Sequence, residues 1–335
     1  MRRIRCPRMS APASRLTGSC SLEEVCVKPI GGQSPQDVRR RVVRYGLWRW
    51  VAAAPAVVGS LLILMLASGA LGQWSGLLVL TWSACAAAMT TRAGERMTVR
   101  AAYRFHQPSP GQAAALQPAW ATALRVTGTE AGDVELYVQT ARVPNAYAAG
   151  GRSVAVTSRV LQDYESGRLP EDLLVAVLVH ELGHHATGAT RPLLLLSWLT
   201  APWRLTSRVL TGVASTLAGR RPRPGLAVVV VAGAAVAVIH AVQQGQWAVG
   251  GVLAFVGLAA VLCPLADAAI SRQAEFDADR FVADHGLALG LAAALHLLDD
   301  GRRAGSAWPR RLWASHPTLD RRITALLRTT ADARA

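Results

Sequence analysis

Residues 170–186 read Pro-Glu-Asp-Leu-Leu-Val-Ala-Val-Leu-Val-His-Glu-Leu-Gly-His-His-Ala. Proline and two acidic residues in the first turn suit a helix start, and Leu173 to Val179 supply an apolar body. His180 and His184 are four residues apart and share one helical face. Both imidazoles can therefore reach one Zn2+ at about 2.0–2.1 Å while Glu181 faces the open coordination position. Such an ion lowers the pKa of a water toward about 7 and polarises a carbonyl, and Glu181 takes the proton and hands it to the leaving amine. The competing reading is two histidines on the polar face of a structural helix. Thr187 and Thr190 stand where the extended metzincin pattern needs Gly and His, which excludes that class. Glu171 and Asp172 open the helix and no 18-residue apolar run includes the motif, which argues against a site inside a spanning helix.

On either side lie two long stretches without Asp, Glu, Lys or Arg: Trp50 to Thr91, 42 residues, and Pro224 to Ala266, 43 residues. As one helix each would run to about 63 Å, roughly twice the hydrocarbon thickness of a bilayer. Each therefore reads as a hairpin of two spans. The first turns near Ser68 to Ser75, where Gly69, Gly72 and Gln73 break the apolar run, and the second near Gln243 to Gln246. Arginines crowd the roots of both hairpins and avoid the tips: Arg39, Arg40, Arg41, Arg44, Arg49, Arg92, Arg96, Arg100 and Arg104 around the first, Arg220, Arg221, Arg223 and Arg272 around the second. The positive-inside rule puts these flanks, and everything outside the hairpins, in the cytoplasm.

The composition agrees. Of 335 residues only 17% are charged and 51% are hydrophobic, against a usual charged share of about 25%. The net charge of +15 is read as an insertion signal that also favours anionic lipid, and with no stacking aromatics or recognition motif beside it a nucleic-acid partner is not expected. Cys6, Cys20, Cys26, Cys85 and Cys263 form no CxxC pair, so neither a disulfide framework nor a zinc ribbon is indicated. The first 36 residues, with Pro7, Pro12 and Pro35, hold no apolar core of the kind a secretory signal needs and read as a disordered tail. The short apolar run from Pro192 to Trp203 predicts, within 192–219, a helix on the membrane face or a segment covering the site, with a buried soluble helix as the alternative. Alternation at Val134, Leu136 and Val138, and again at Val154 and Val156 after Gly150-Gly151, predicts two half-buried strands, followed by a short helix over 160–165.

Downstream of the second hairpin stands Glu275-Phe276-Asp277-Ala278-Asp279. Glu275 and Asp279 are one turn apart, which suits a third ligand and a carboxylate that orients a zinc-bound histidine; the same spacing is common on any solvated helix. HExxH, two membrane helices, then ExxAD resembles the HtpX-like membrane zinc peptidases, the superfamily that includes the CAAX prenyl endopeptidases. Pro144-Asn145-Ala146-Tyr147 with Gly150-Gly151 resembles that family's "NAF...GG" loop. Val154 to Leu161 resembles its "V-x-V-T-x-G-L-L" stretch, with Arg159 in place of the usual glycine, and Ser315-His316-Pro317 with Arg322-Ile323 resembles its "S-H-P...R-I" signature. The similarity covers about residues 40–327.

The resemblance implies one Zn2+ per chain held by His180, His184 and Glu275, with Glu181 as general base and Asp279 orienting a ligand. It places His316 and Arg322 near the scissile carbonyl, with local roles as the alternative: Ser315 or Thr318 as a helix cap and Arg322 as a solvated arginine. Asn145 is expected beside an edge strand, where peptides bind zinc proteases. His106, His185, His240, His285 and His296 match nothing in the pattern.

The fold class expected is a mainly α membrane protein: four transmembrane helices in two hairpins carrying a cytoplasmic α+β, zincin-type (gluzincin-like) protease domain. The chain divides into a basic, partly disordered tail at 1–44, hairpin 1 at 45–91, a protease segment with the HExxH helix at 92–223, hairpin 2 at 224–266 and a closing protease segment with the ExxAD helix at 267–335. The expected function is a zinc metalloendopeptidase of the cytoplasmic membrane acting on protein or peptide substrates, membrane proteins in quality control among them. CAAX-type or regulatory processing and a non-proteolytic zinc-binding scaffold are the alternatives. A transporter is disfavoured because the spans contain no acidic or basic residue apart from the weakly basic His240.

Overall fold

The computed structural model describes residues 35–191, 193–217, 224–298 and 316–332. The tail at 1–34, Pro192, the arginines at 220–223 and Ser315 lie outside the described residues. The described chain is mostly helical with one four-stranded sheet.

Helix α1 (Pro35–Leu71) meets α2 (Ser75–Ala88) through a short turn at Gly72–Trp74, where Gly72 has φ +54°. A later segment shows that α2 folds back on α1. The Trp203 N–H donates to Ser60 Oγ at 3.2 Å, and the Trp198 indole N–H donates to the Trp82 carbonyl at 3.1 Å. In a straight continuation Trp82 would lie about 33 Å beyond Ser60. The second hairpin is α9 (Pro224–Gln243) and α10 (Trp247–Asp284), joined at Gly245 with φ +72°, and Gly250 packs against Val242. Both turns fall where the glycines and glutamines of the sequence put them. Two helical stretches among the described residues are long and apolar enough to cross a membrane, Tyr45–Ala88 and Trp247–Asp284, with mean hydropathies of 2.2 and 2.3. Only 11% and 6% of their most apolar windows are buried inside the chain. The core helix of a soluble protein would be mostly buried.

Between the hairpins come α3 (Arg92–Ala102), β1 (Phe105–His106), α4 (Pro110–Thr127), β2 (Glu135–Gln139), β3 (Ala146–Ala149), β4 (Ser153–Thr157), α5 (Ser158–Glu165), α6 (Glu171–Ala186), α7 (Leu193–Leu199) and α8 (Ala201–Leu217). After α10 follow α11 (Ala288–Leu298) and α12 (Leu319–Asp332). Local signals account for the boundaries. Ser109 and Gln112 form a capping box at the start of α4, and the Thr157 hydroxyl caps α5.

Strand order is β1-β2-β4-β3, with β2 and β4 parallel and the outer pairs antiparallel. The half-buried pattern expected for the 153–157 strand is not what forms, because all five residues of β4 are buried. The strand is central, and helices cover both faces. Val154 and Val156 join Val138 in the main core with Leu116 and Ala123 of α4, Leu174, Leu178 and Leu182 of α6, Leu291 of α11 and Leu326 of α12. Ala155 and Tyr137 face the other way, against Val99, Phe105 and Leu194. Leu194 belongs to α7, so this portion of the 192–219 segment covers the reverse face of the sheet and links it to hairpin 1.

The β3–β4 turn is pinned from α3. Gly150 (φ +61°) leaves room for the Glu95 carboxylate, which accepts hydrogen bonds from the Arg152 N–H at 2.9 Å and the Ser153 hydroxyl at 3.1 Å. Burial raises the Glu95 pKa even though these donors lower it. Glu95→Ala is expected to cost about 1–3 kcal/mol by orphaning two donors, and Glu95→Gln, which keeps an acceptor oxygen, about 1 kcal/mol or less. A folded-state pKa above the unfolded value means that the Glu95 carboxyl favours folding most at low pH. Its contribution falls as pH rises through the raised value. Thermal unfolding across pH should therefore show a decline in the wild type that Glu95→Gln lacks.

Candidate metal centre

Helix α6 is buried continuously from Leu174 to Gly183. A helix apolar all round belongs in an interior, and here it lies among the sheet, α4, α10 and α11. His180 and Glu181 are 5% and 6% exposed, so the reading of a solvated polar face does not hold.

The other half of the site comes from the far end of α10. This helix runs unbroken from Trp247 to Asp284 and crosses α6 at Gly183. A Cβ on Gly183 would lie 3.1 Å from Phe281 Cδ1, 3.2 Å from Phe281 Cβ and 3.3 Å from Ala278 Cα. Glycine inside a helix costs roughly 1 kcal/mol relative to alanine. At this position it permits the close approach that turns Glu275 and Asp279 inward, where they are 7% and 2% exposed. The solvated-helix reading of this acid pair fails on the same numbers.

Ligand atoms of His180, His184 and Glu275 all lie within 4.8 Å of one another. His180 Nε2 is 3.4 Å from Glu275 Oε2, and His184 Nε2 is 3.7 Å from Glu275 Oε1. On the other side of the His180 ring, Nδ1 lies 3.1 Å from Asp279 Oδ1, a contact that fixes the tautomer and points Nε2 at the cluster. Among the described residues this is the one group of three such side chains that could hold a metal ion.

Helix α12 closes the cluster. Arg322 donates to Asp279 through Nε at 2.9 Å and Nη2 at 2.6 Å, and its Nη1 is 3.1 Å from Glu275 Oε2. Nη2 also lies 3.2 Å from His180 Nε2. Arg322 is thus buried and paired with both carboxylates, not solvated. His316 Nδ1 is 2.8 Å from Glu275 Oε1, but its side chain is 62% exposed and marks the open side. Asn145 stands just before β3, with its N–H donating to the Thr157 hydroxyl and its carbonyl accepting from the Thr157 N–H, both at 3.0 Å. β3 is one of the two edge strands of the sheet and packs along α6. His185, adjacent to the motif, is turned away: its ring nitrogens meet the Ser153 carbonyl at 3.2 Å and the Thr190 hydroxyl at 3.1 Å.

The charges of the cluster are strongly coupled. Burial and the Arg322 charge press His180 toward neutrality, yet Asp279 and Glu275 outweigh them and lift its pKa to about 9. Burial and the neighbouring His180 charge push His184 down to about 3. Burial raises Glu181 to about 7 against the pull of His180. Glu275 resists its own burial because His180, His316 and Arg322 hold its carboxylate well below the usual range, and Asp279 is lowered by His180 and Arg322 in the same way. Three carboxylates converge on one guanidinium and the imidazoles of His180, His184 and His316, and among them His180, His184 and Glu275 form a donor set of nitrogen and carboxylate oxygen that fits a catalytic zinc site.

A model of peptidase family M48 matches residues 110–330. The chain belongs to that family. No curated protein matches this M48 chain. The match takes in the HExxH helix, α10 with both carboxylates, and α12. Membership indicates a metal-dependent peptidase acting on peptide or protein substrates.

Sequence reading overlooked Gly183, although an interior helix glycine signals close packing. It also missed the pairing of Arg322 with Asp279, for which no local pattern exists. Gly183→Ala should leave the chain folded, because the gain in helix propensity partly offsets overpacking of about 1–3 kcal/mol. It should weaken metal binding by about tenfold or more, read by competition with a chromophoric chelator. The reason is that the Ala278 backbone and Phe281 Cβ cannot swing aside.

Proposed function

We propose that this M48 peptidase is a zinc endopeptidase of the HtpX-like branch, embedded in the cytoplasmic membrane by four spans with its catalytic residues on the cytoplasmic side. Its substrates are proteins or peptides, membrane proteins in quality control among them. The observation that carries the reading is the gathering of buried His180, Glu181 and Glu275 with half-buried His184 in one cluster, beside the end of the long apolar helix α10. The arginines at the hairpin roots support the orientation.

His180, His184 and Glu275 would hold one zinc, which when bound supplies Lewis acidity toward a substrate carbonyl and acidifies water. Glu181, buried and with its pKa near 7, takes a proton from the attacking water and returns it to the leaving amine. Asp279 holds the His180 ring from behind. Arg322 spans both carboxylates and keeps them seated without protonation. His316, on the exposed side, offers a donor where the carbonyl oxygen gathers charge. The substrate adds as a strand along β3, with Asn145 at the start of that edge.

Glu181→Gln should keep stoichiometric zinc and lose roughly 10² to 10⁴ in cleavage rate on casein or on the protein itself. Glu275→Gln should lose zinc as well as activity. Zinc bound in wild type and Glu181→Gln with equal cleavage by both would refute the mechanism. Zinc in both with cleavage in neither would point to a scaffold or to a highly selective processing enzyme.

A further inference from the structure

The EFDAD segment carries three carboxylates, and the site accounts for two. Residues on a helix advance by about 100° each, so Asp277 lies about 200° from Glu275, on the opposite side of α10. There it accepts a hydrogen bond through Oδ2 from the Tyr45 hydroxyl, 232 residues away in the chain, and through Oδ1 from Gln273 Nε2 at 3.1 Å. Tyr45 is only 5% exposed and packs in a small core with Ala274 and Ala189, flanked by Ile270. Both alanines are tied to a ligand. Ala274 precedes Glu275, and the Ala189 N–H donates to the carbonyl of His184 at 3.1 Å. One side chain near the root of hairpin 1 thus touches α10 beside Glu275 and the turn that follows α6. α10 is held between Tyr45 on one face and Gly183 of α6 on the other.

We infer that Tyr45 is a positioning residue: its hydrogen bond to Asp277 sets the rotation and height of α10 against α6, and so makes the seating of hairpin 1 a condition for a well-formed metal centre. The inference rests on the zinc-peptidase reading for its consequence, but not for its geometry. Arg49 of α1 also reaches Asp267 of α10 at 3.5 Å, so the two helices stay paired without the Tyr45 hydroxyl; what its loss frees is the rotation and height of α10 beside Glu275, and small displacements of Glu275 relative to His180 and His184 are enough to spoil a three-ligand site. β3 and Asn145 lie elsewhere in the fold, so substrate binding should not sense the loss.

The test uses the full chain in detergent or nanodiscs, with Co2+ as a spectroscopic probe of the site. Tyr45→Phe removes one oxygen and keeps the ring in its pocket. It is expected to leave the unfolding temperature close to wild type while weakening Co2+ binding by about tenfold, the lower end of what losing a ligand-supporting partner costs. The intensity of the Co2+ visible bands should change, and kcat should fall with KM unmoved. Asp277→Leu should reproduce these effects, the conservative Asp277→Asn should restore them, and Tyr45→Phe with Asp277→Leu should be no worse than either alone. Wild-type affinity and spectrum in Tyr45→Phe, or additive losses in the double variant, would overturn the inference. Co2+ bound by wild type without any cleavage would count against a general endopeptidase, in favour of a scaffold or a highly selective processing enzyme, and would leave the positioning role judged on affinity and spectrum. No Co2+ bound by wild type would overturn both.

Discussion

The contact between α6 and α10 at Gly183 is the constraint on which the site depends. Two helices with ordinary side chains at their crossing stand about 8–10 Å apart. Here a missing Cβ lets Ala278 and Phe281 come against the α6 backbone. That separation decides whether Glu275 falls within reach of His180 and His184. The same crossing places Asp279 behind His180, so ligand and orienting carboxylate are delivered by one packing event.

Burying this many ionisable groups is costly, and the arrangement shows how the cost is met. Asp279 and Glu275 remain ionised because Arg322 reaches them from α12 and His180 stands between them. Arg322 in turn is stabilised in its charged form by the two acids despite its own burial. Breaking such a buried network by removing one member leaves an uncompensated charge, which is more damaging than the network is stabilising. The three helices involved begin at residues 171, 247 and 319, so no local folding unit forms the centre alone. It exists only when the segments on both sides of hairpin 2 have docked.

The apolar hairpins are structurally continuous with the site. α10 is one helix from its exposed apolar half to Asp279, and α1 runs from the Tyr45 contact into hairpin 1. α7 fastens the reverse face of the sheet to the same hairpin through Leu194 and Trp198. Helical backbone, not a loop, therefore joins the apolar half of α10 to Glu275. Glu95 performs a comparable service at the other end of the sheet, where it anchors the turn that follows the edge strand.

Much of the candidate site was legible in the sequence because it depends on short spacings. His180 and His184 share a helical face by arithmetic, with Glu181 one residue round from it, Glu275 and Asp279 do the same, and the glycines at 72 and 245 mark reversals of otherwise unbroken apolar runs. The 154–156 strand was legible as a strand but not as a central one, since burial on its second face is supplied by α3, β1 and α7 from elsewhere in the chain. Helix α4, with Pro118 inside it, gave no clean periodic signal. Whether the acid pair was buried, whether Arg322 was solvated or paired, and what Asp277 touches were open in the sequence. Those answers are distances between residues from about 40 to more than 230 positions apart, and the tertiary packing of α1, α6, α10 and α12 decided them. Local spacing specifies which groups can share a face; only the crossing of faces determines which groups meet.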